Sequence, residues 1–102
     1  MLLTACATAP EPPPPACDTA YDATVASLAE LFRTSGTPAP AFPDRAAYVE
    51  RCRALGLDVR QLGCLHPDRV LADPAGCAEA LAPVRAGVDG FAQWFTENTR
   101  TP

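Results

Sequence analysis

Five cysteines and a single histidine are the residues of this 102-residue chain whose chemistry could go beyond packing. Cys6, Cys17, Cys52, Cys64 and Cys77 could hold disulfides, a metal ion or a nucleophilic thiolate, and His66 could serve beside them as a ligand or a base. A zinc site built from Cys52, Cys64, Cys77 and His66 would lack the closely paired cysteines that structural zinc sites show, so no metal is expected. Cys–His nucleophilic catalysis needs a free, activated thiol, which an even set of paired cysteines does not leave. Asp18 with Asp22 and Asp68 with Asp73 are acidic pairs of the kind used as general acid and base. Asp18 and Asp73, however, read as helix caps, and Asp22 falls on an outward helix face. No Gly-rich phosphate loop, serine elbow or His-Glu metal motif occurs. The expectation is therefore a protein that is not an enzyme, with no catalytic residue and no cofactor.

Charge and composition narrow the partners. Eight arginines and no lysine stand against twelve acidic residues, for a net charge of −4. Nucleic acid is not expected as a partner, because phosphate binding draws on clustered cations and released counterions. Twenty alanines and only seven aromatics per hundred residues make the core one of small side chains. No apolar run approaches the about 18 residues that a membrane-spanning helix needs.

The N-terminus offers another route to a membrane. Leu3-Thr4-Ala5-Cys6 resembles the lipobox that ends a bacterial lipoprotein signal peptide. That resemblance implies that Cys6 becomes the first residue of the mature chain, with a diacylglyceryl group on its thiol and usually an acylated amino group. Two or three acyl chains such as palmitate hold a protein on a bilayer almost permanently, since each buried methylene contributes about 0.8 kcal/mol. Only Met1 to Ala5 precede Cys6, so the resemblance also implies a basic, apolar stretch of about 15 codons in frame upstream. Ala7 after the lipidated cysteine would, by the family rule, favour the outer membrane, facing the periplasm. Five prolines crowd residues 10–15. Proline removes amide donors and fixes an extended polyproline II conformation, so residues 7–16 read as a disordered, semi-rigid tether of roughly 30 Å. The expected organisation is a signal-peptide remnant over residues 1–5, a lipid-anchored Pro-rich linker over 6–16 and a helical domain over 17–102.

Beyond Cys17 the periodicity is helical throughout, and no strand alternation or hairpin signal occurs. Asp18 is placed to cap a first helix over about 18–35, with Tyr21, Val25, Leu28, Leu31 and Phe32 along one face and Gly36 as its stop. Asp44 caps a second helix carrying Tyr48, Val49, Cys52 and Leu55, stopped by Gly56 and with Phe42 covering its start. Asp58 and Gln61 form a capping box for a short helix carrying Val59, Leu62 and Leu65 and closed by Pro67. Asp73-Pro74 opens the last helix, in which Cys77, Leu81, Val84, Val88, Phe91 and Phe95 recur at spacings of three and four. Pro83 lies inside that run and predicts a kink or a split. The fold class is all-α, a small three- to four-helix bundle stapled by two disulfides.

With Cys6 assigned to lipid, Cys17, Cys52, Cys64 and Cys77 are an even set that allows three pairings. Cys52 shares a stripe with Val49 and Leu55, and Cys77 one with Leu81 and Val84, so helical phase favours Cys52–Cys77 with Cys17–Cys64. The next choice is Cys64–Cys77 with Cys17–Cys52. The favoured bridges would close loops of about 25 and 47 residues and be worth roughly 3–4 kcal/mol each by the chain-entropy argument, which decides whether so small a domain stays folded.

Residues Tyr48 to Leu55, Val59 to Leu65 and then Cys77 resemble a pattern in small cysteine-containing lipoproteins of the myxobacterial type. It implies a helical, disulfide-stapled, exported domain and brings no activity with it. Among the aromatics Phe91, Trp94 and Phe95, Trp94 is offset by about 100° from the core stripe, the rotation of one helical residue. That makes Trp94 the candidate contact for an envelope protein partner, against partial burial over the bundle edge. Arg45, Arg51 and Arg53 read as a solvated face. The functional expectation is a membrane-anchored, non-enzymatic binding or structural module. The alternatives are a cytosolic helical interaction domain with reduced cysteines, or a small metal-binding or redox protein.

Overall fold

The computed structural model describes residues 14–101, so Cys6 and most of the Pro-rich segment lie outside the described residues. Within them the chain is helical: α1 (Cys17–Ser35), α2 (Arg45–Ala54), α3 (Val59–Gly63), α4 (Pro67–Ala72), α5 (Pro74–Leu81), a 3₁₀ turn (Ala82–Val84) and α6 (Arg85–Glu97).

Three of the starts follow from local capping. The Asp44 carboxylate accepts from the Ala47 amide at 3.2 Å, and that of Asp73 from the Gly76 amide at 3.0 Å. At α3 the box is reciprocal: Asp58 accepts from the Gln61 amide at 2.8 Å while the Gln61 side chain accepts from the Asp58 amide at 3.0 Å. Each of these satisfies amides that the first helical turn leaves without partners. α1 departs from the expectation. It begins at Cys17, one residue before Asp18, so Asp18 is not the cap. Instead Thr19 Oγ1 accepts from the Ala16 amide at 3.1 Å, and the Asp18 carboxylate lies in the first turn, at the positive end of the helix dipole. Two stops use left-handed glycines, Gly36 at φ 72° and Gly56 at φ 64°, a conformation that a side chain would strain.

Pro67, expected to close α3, lies four residues beyond its end at Gly63. It occupies the first turn of α4, a helix that the sequence reading leaves as loop, where its missing amide hydrogen costs nothing. Pro83 splits the last helical run as expected. The 3₁₀ turn around it separates α5 from α6, and the two carry their apolar stripes to different partners.

That split produces two cores. The larger joins Cys17, Ala20, Tyr48, Cys52 and Phe91, with Tyr21, Val49, Leu55, Leu62, Leu65, Trp94 and Phe95 packed around it. Tyr48 is its centre, edge-on to Tyr21 at 5.1 Å and to Phe95 at 5.9 Å and tilted against Phe91 at 4.8 Å. The smaller holds only Cys64, Cys77 and Ala80, with Leu81 against it. α1 and α2 run antiparallel, since Cys17 meets Cys52 while Asp22 meets Arg45 one to two turns further along. Because the start of α2 reaches only to Asp22, the rest of α1 outruns it. Leu31, expected in the core, is therefore 62 % exposed. A Pro-bearing loop returns beside that overhang, and Ala41 in it exchanges backbone hydrogen bonds of 2.8 Å with Arg100, tying down the C-terminus.

The disulfides are Cys17–Cys52 and Cys64–Cys77, with Cα–Cα separations of 5.8 and 5.4 Å. The pairing favoured by helical phase, Cys52–Cys77 with Cys17–Cys64, is wrong, and Pro83 is the physical reason. Of the two halves of the last run it is α6 that packs on α2, while α5, which carries Cys77, packs on α3 and α4. Phase correctly turned both cysteines inward but assumed one continuous last helix, hence one shared seam.

Candidate functional site

Two surface features of this domain combine side chains that could meet another molecule. The first is built on α2 and α6. Phe91 and Trp94, one turn apart on α6, stack nearly parallel with ring centroids 5.9 Å apart. The Arg51 guanidinium, from α2, lies 4.7 Å over the Trp94 ring, a cation–π contact. Trp94 is thus half-buried at the edge of the larger core, with its ring engaged by Phe91 and Arg51. Beside it opens a cleft of about 400 Å³ lined by Arg51, Ala54, Leu55, Gly87, Gly90 and Phe91. Gly87 lets the two helices approach, because a Cβ there would come within 3.2 Å of a Leu55 methyl. Arg51, read from the sequence as plain solvated face, is therefore shared between the tryptophan and the cleft. Only its contact across 43 residues of sequence reveals this, and no local pattern could have.

The second feature is a cleft of about 270 Å³ between α4, α5 and α6, with Val70, Pro74, Cys77, Ala78, Leu81 and Val88 in its walls. Arg85 and Asp89 stand at its side, 3.7 Å apart and both well exposed. Leu71, next to it on α4, is 82 % exposed. Sequence reading missed this cleft because it rests on α4.

The remaining predicted residues are dispersed. Asp73 caps α5, and Asp18 accepts from the Thr19 amide at 2.8 Å. Asp22 receives two hydrogen bonds from Arg45, at 3.0 and 3.1 Å, and that guanidinium holds its carboxyl below the usual carboxylate range. Tyr21 donates to the Pro43 carbonyl at 2.7 Å; burial, then the Asp44 and Asp22 carboxylates, push its phenol up. Burial likewise raises Tyr48. His66 occupies the N-cap position of α4, and its Nε2 is buried with no hydrogen-bond partner. All four cysteines are consumed by the two bridges, and the described residues bring no three potential metal ligands together. Among the described residues no helix is long and apolar enough to cross a membrane.

Comparison with protein-family models, with curated proteins and with solved structures finds no match to this chain.

Proposed function

We propose that this chain is a lipid-anchored protein of a bacterial envelope, held through Cys6 and carrying a non-enzymatic binding or structural module on a Pro-rich tether. The observation that carries the reading is the complete pairing of Cys17, Cys52, Cys64 and Cys77 in two disulfides, chemistry that persists in oxidising compartments outside the cytoplasm. Pairing those four leaves Cys6 as the odd cysteine, in the sequence context of a lipobox and ahead of a proline run. Trp94, Arg51 and the neighbouring cleft form the surface this module offers to an envelope protein partner: an aromatic and an arginine, the residue types that dominate binding energy at protein interfaces.

The test is metabolic labelling with an alkynyl palmitate in a double-membrane bacterium expressing the gene with its in-frame upstream codons. The expected outcome is label on the membrane-fraction protein and none on Cys6→Ser. Equal labelling of the two, or a soluble wild type without label, refutes the anchor. Mass loss of two disulfides' worth of hydrogens relative to the reduced chain, four in all, separates export from a cytosolic protein with free thiols.

A further inference from the structure

The two bridges differ in what surrounds them. Exposure does not separate them, since Cys17 is 7 %, Cys52 0 %, Cys64 5 % and Cys77 4 % exposed. Access and support do. Cys17–Cys52 lies in the larger core against Ala20, Tyr48 and Phe91, and neither of its cysteines is in the wall of the α2–α6 cleft or of the α4–α5–α6 cleft. Cys77, by contrast, is in the wall of the α4–α5–α6 cleft, and its bridge is backed only by Ala80 and Leu81. The loop it closes has a sequence separation of 13 and contains α4, a helix with no buried residue. Segments with few buried contacts open at low free-energy cost, well before the whole domain unfolds.

We propose that Cys77 Sγ is a thiol–disulfide exchange site, reached through this cleft by a dithiol reductant of the extracytoplasmic space. One thiolate of the dithiol attacks Cys77 Sγ; the Cys64–Cys77 bond breaks and Cys64 leaves as a thiolate that takes a proton from water. The second thiol of the dithiol then attacks the mixed disulfide, releasing Cys77 as a thiolate that is protonated in turn. Two electrons and two protons pass to the cysteine pair, and the dithiol becomes a disulfide. Cys17–Cys52 stays closed, so the exchange frees α4, with its exposed Val70 and Leu71, while the Tyr48 core remains in place.

The probe is reduced glutathione, applied to the oxidised full chain near pH 8.5, where about half of an ordinary thiol is ionised, and quenched early, before a second glutathione resolves the first mixed disulfide. Free thiols are then trapped with N-ethylmaleimide. Tryptic cleavage at arginine separates Cys64, in residues 61–69, from Cys77, in residues 70–85. The expected first adduct carries glutathione on Cys77 and maleimide on Cys64, forming about tenfold faster than any adduct at Cys17 or Cys52. Glutathione on Cys64, or attack on Cys17–Cys52 at a comparable rate, overturns the proposal. Ala78→Phe, which fills the cleft from an exposed wall position, slows the Cys77 adduct at unchanged helicity. An unchanged rate in that variant overturns the route through the cleft.

Discussion

Removing the two disulfides one at a time separates their roles. Cys17→Ala with Cys52→Ala opens a loop with a sequence separation of 35, and Cys64→Ala with Cys77→Ala one of 13. The loop-closure entropy released to the unfolded chain at 25 °C corresponds to about 3.8 kcal/mol for the longer loop and about 2.9 kcal/mol for the shorter. Both variants also lose two buried sulfurs, so the entropic difference of about 0.9 kcal/mol is the gap expected between them from loop closure alone. The core decides what remains. Its largest buried side chains are Tyr48 and Phe91, and both belong to the Cys17–Cys52 cluster. Loss of that bridge therefore loosens the whole domain. Loss of Cys64–Cys77 releases α3 to α5 around a cluster that holds one other buried residue, Ala80. Urea unfolding followed by Trp94 fluorescence and by far-ultraviolet circular dichroism reads both effects. The Cys17, Cys52 variant unfolds at the lower urea concentration with both signals together. The Cys64, Cys77 variant loses helical signal first while Trp94 still reports a packed environment. Equal midpoints, or a Cys64, Cys77 variant that is the less stable of the two, would refute the two-core reading.

Three further outcomes follow from individual contacts. Arg51→Ala uncovers the Trp94 ring, shifting its emission to longer wavelength and costing about 0.5–1 kcal/mol in urea unfolding, the range for an exposed cation–π pair. Tyr48 ionises above the ordinary tyrosine value because burial disfavours its phenolate, so folding stability is full below about pH 10 and falls as pH rises through the folded value. Alkaline titration at 295 nm should show this tyrosine ionising late, together with loss of helix, and Tyr48→Phe should remove that part of the alkaline destabilisation. Asp73→Ala leaves the Gly76 amide without its acceptor and costs about 1 kcal/mol, read as a lowered urea midpoint; Asp73→Asn, which keeps an acceptor, restores most of it.

The features legible in the sequence were those whose causes lie within a turn or two of chain. Asp44, Asp58 with Gln61, and Asp73 announce helix starts because a short acceptor three residues before an amide suffices, whatever the rest of the fold does. Pro83 announces a break for an equally local reason. Asp18 misled because the extended approach ends at Ala16 and the helix begins at Cys17, with Thr19 rather than the better capping residue beside it bonding back to Ala16. Pro67 misled because proline ends one helix and begins another with the same ring, and only α4's presence tells which.

The disulfide pairing shows where local reasoning stops and what could have extended it. Helical phase tells which way a cysteine points around its own axis, and says nothing about which neighbour it faces. Consecutive helices joined by a short connection pack antiparallel, however, and that rule alone brings the start of α1 beside the end of α2. Cys17 and Cys52 stand at those two places, 35 residues apart in sequence and 5.8 Å apart at Cα. With them joined, Cys64 and Cys77 have only each other, across a loop that holds a single short helix. The break that Pro83 imposes then lets α5 pack on α3 and α6 on α2. It places Phe91, Trp94 and Arg51 on one side and the Cys77 cleft on the other. Both surfaces thus depend on the break: a residue in place of Pro83 that continued the helix would carry α6 off α2, uncovering Tyr48 and parting Trp94 from Arg51.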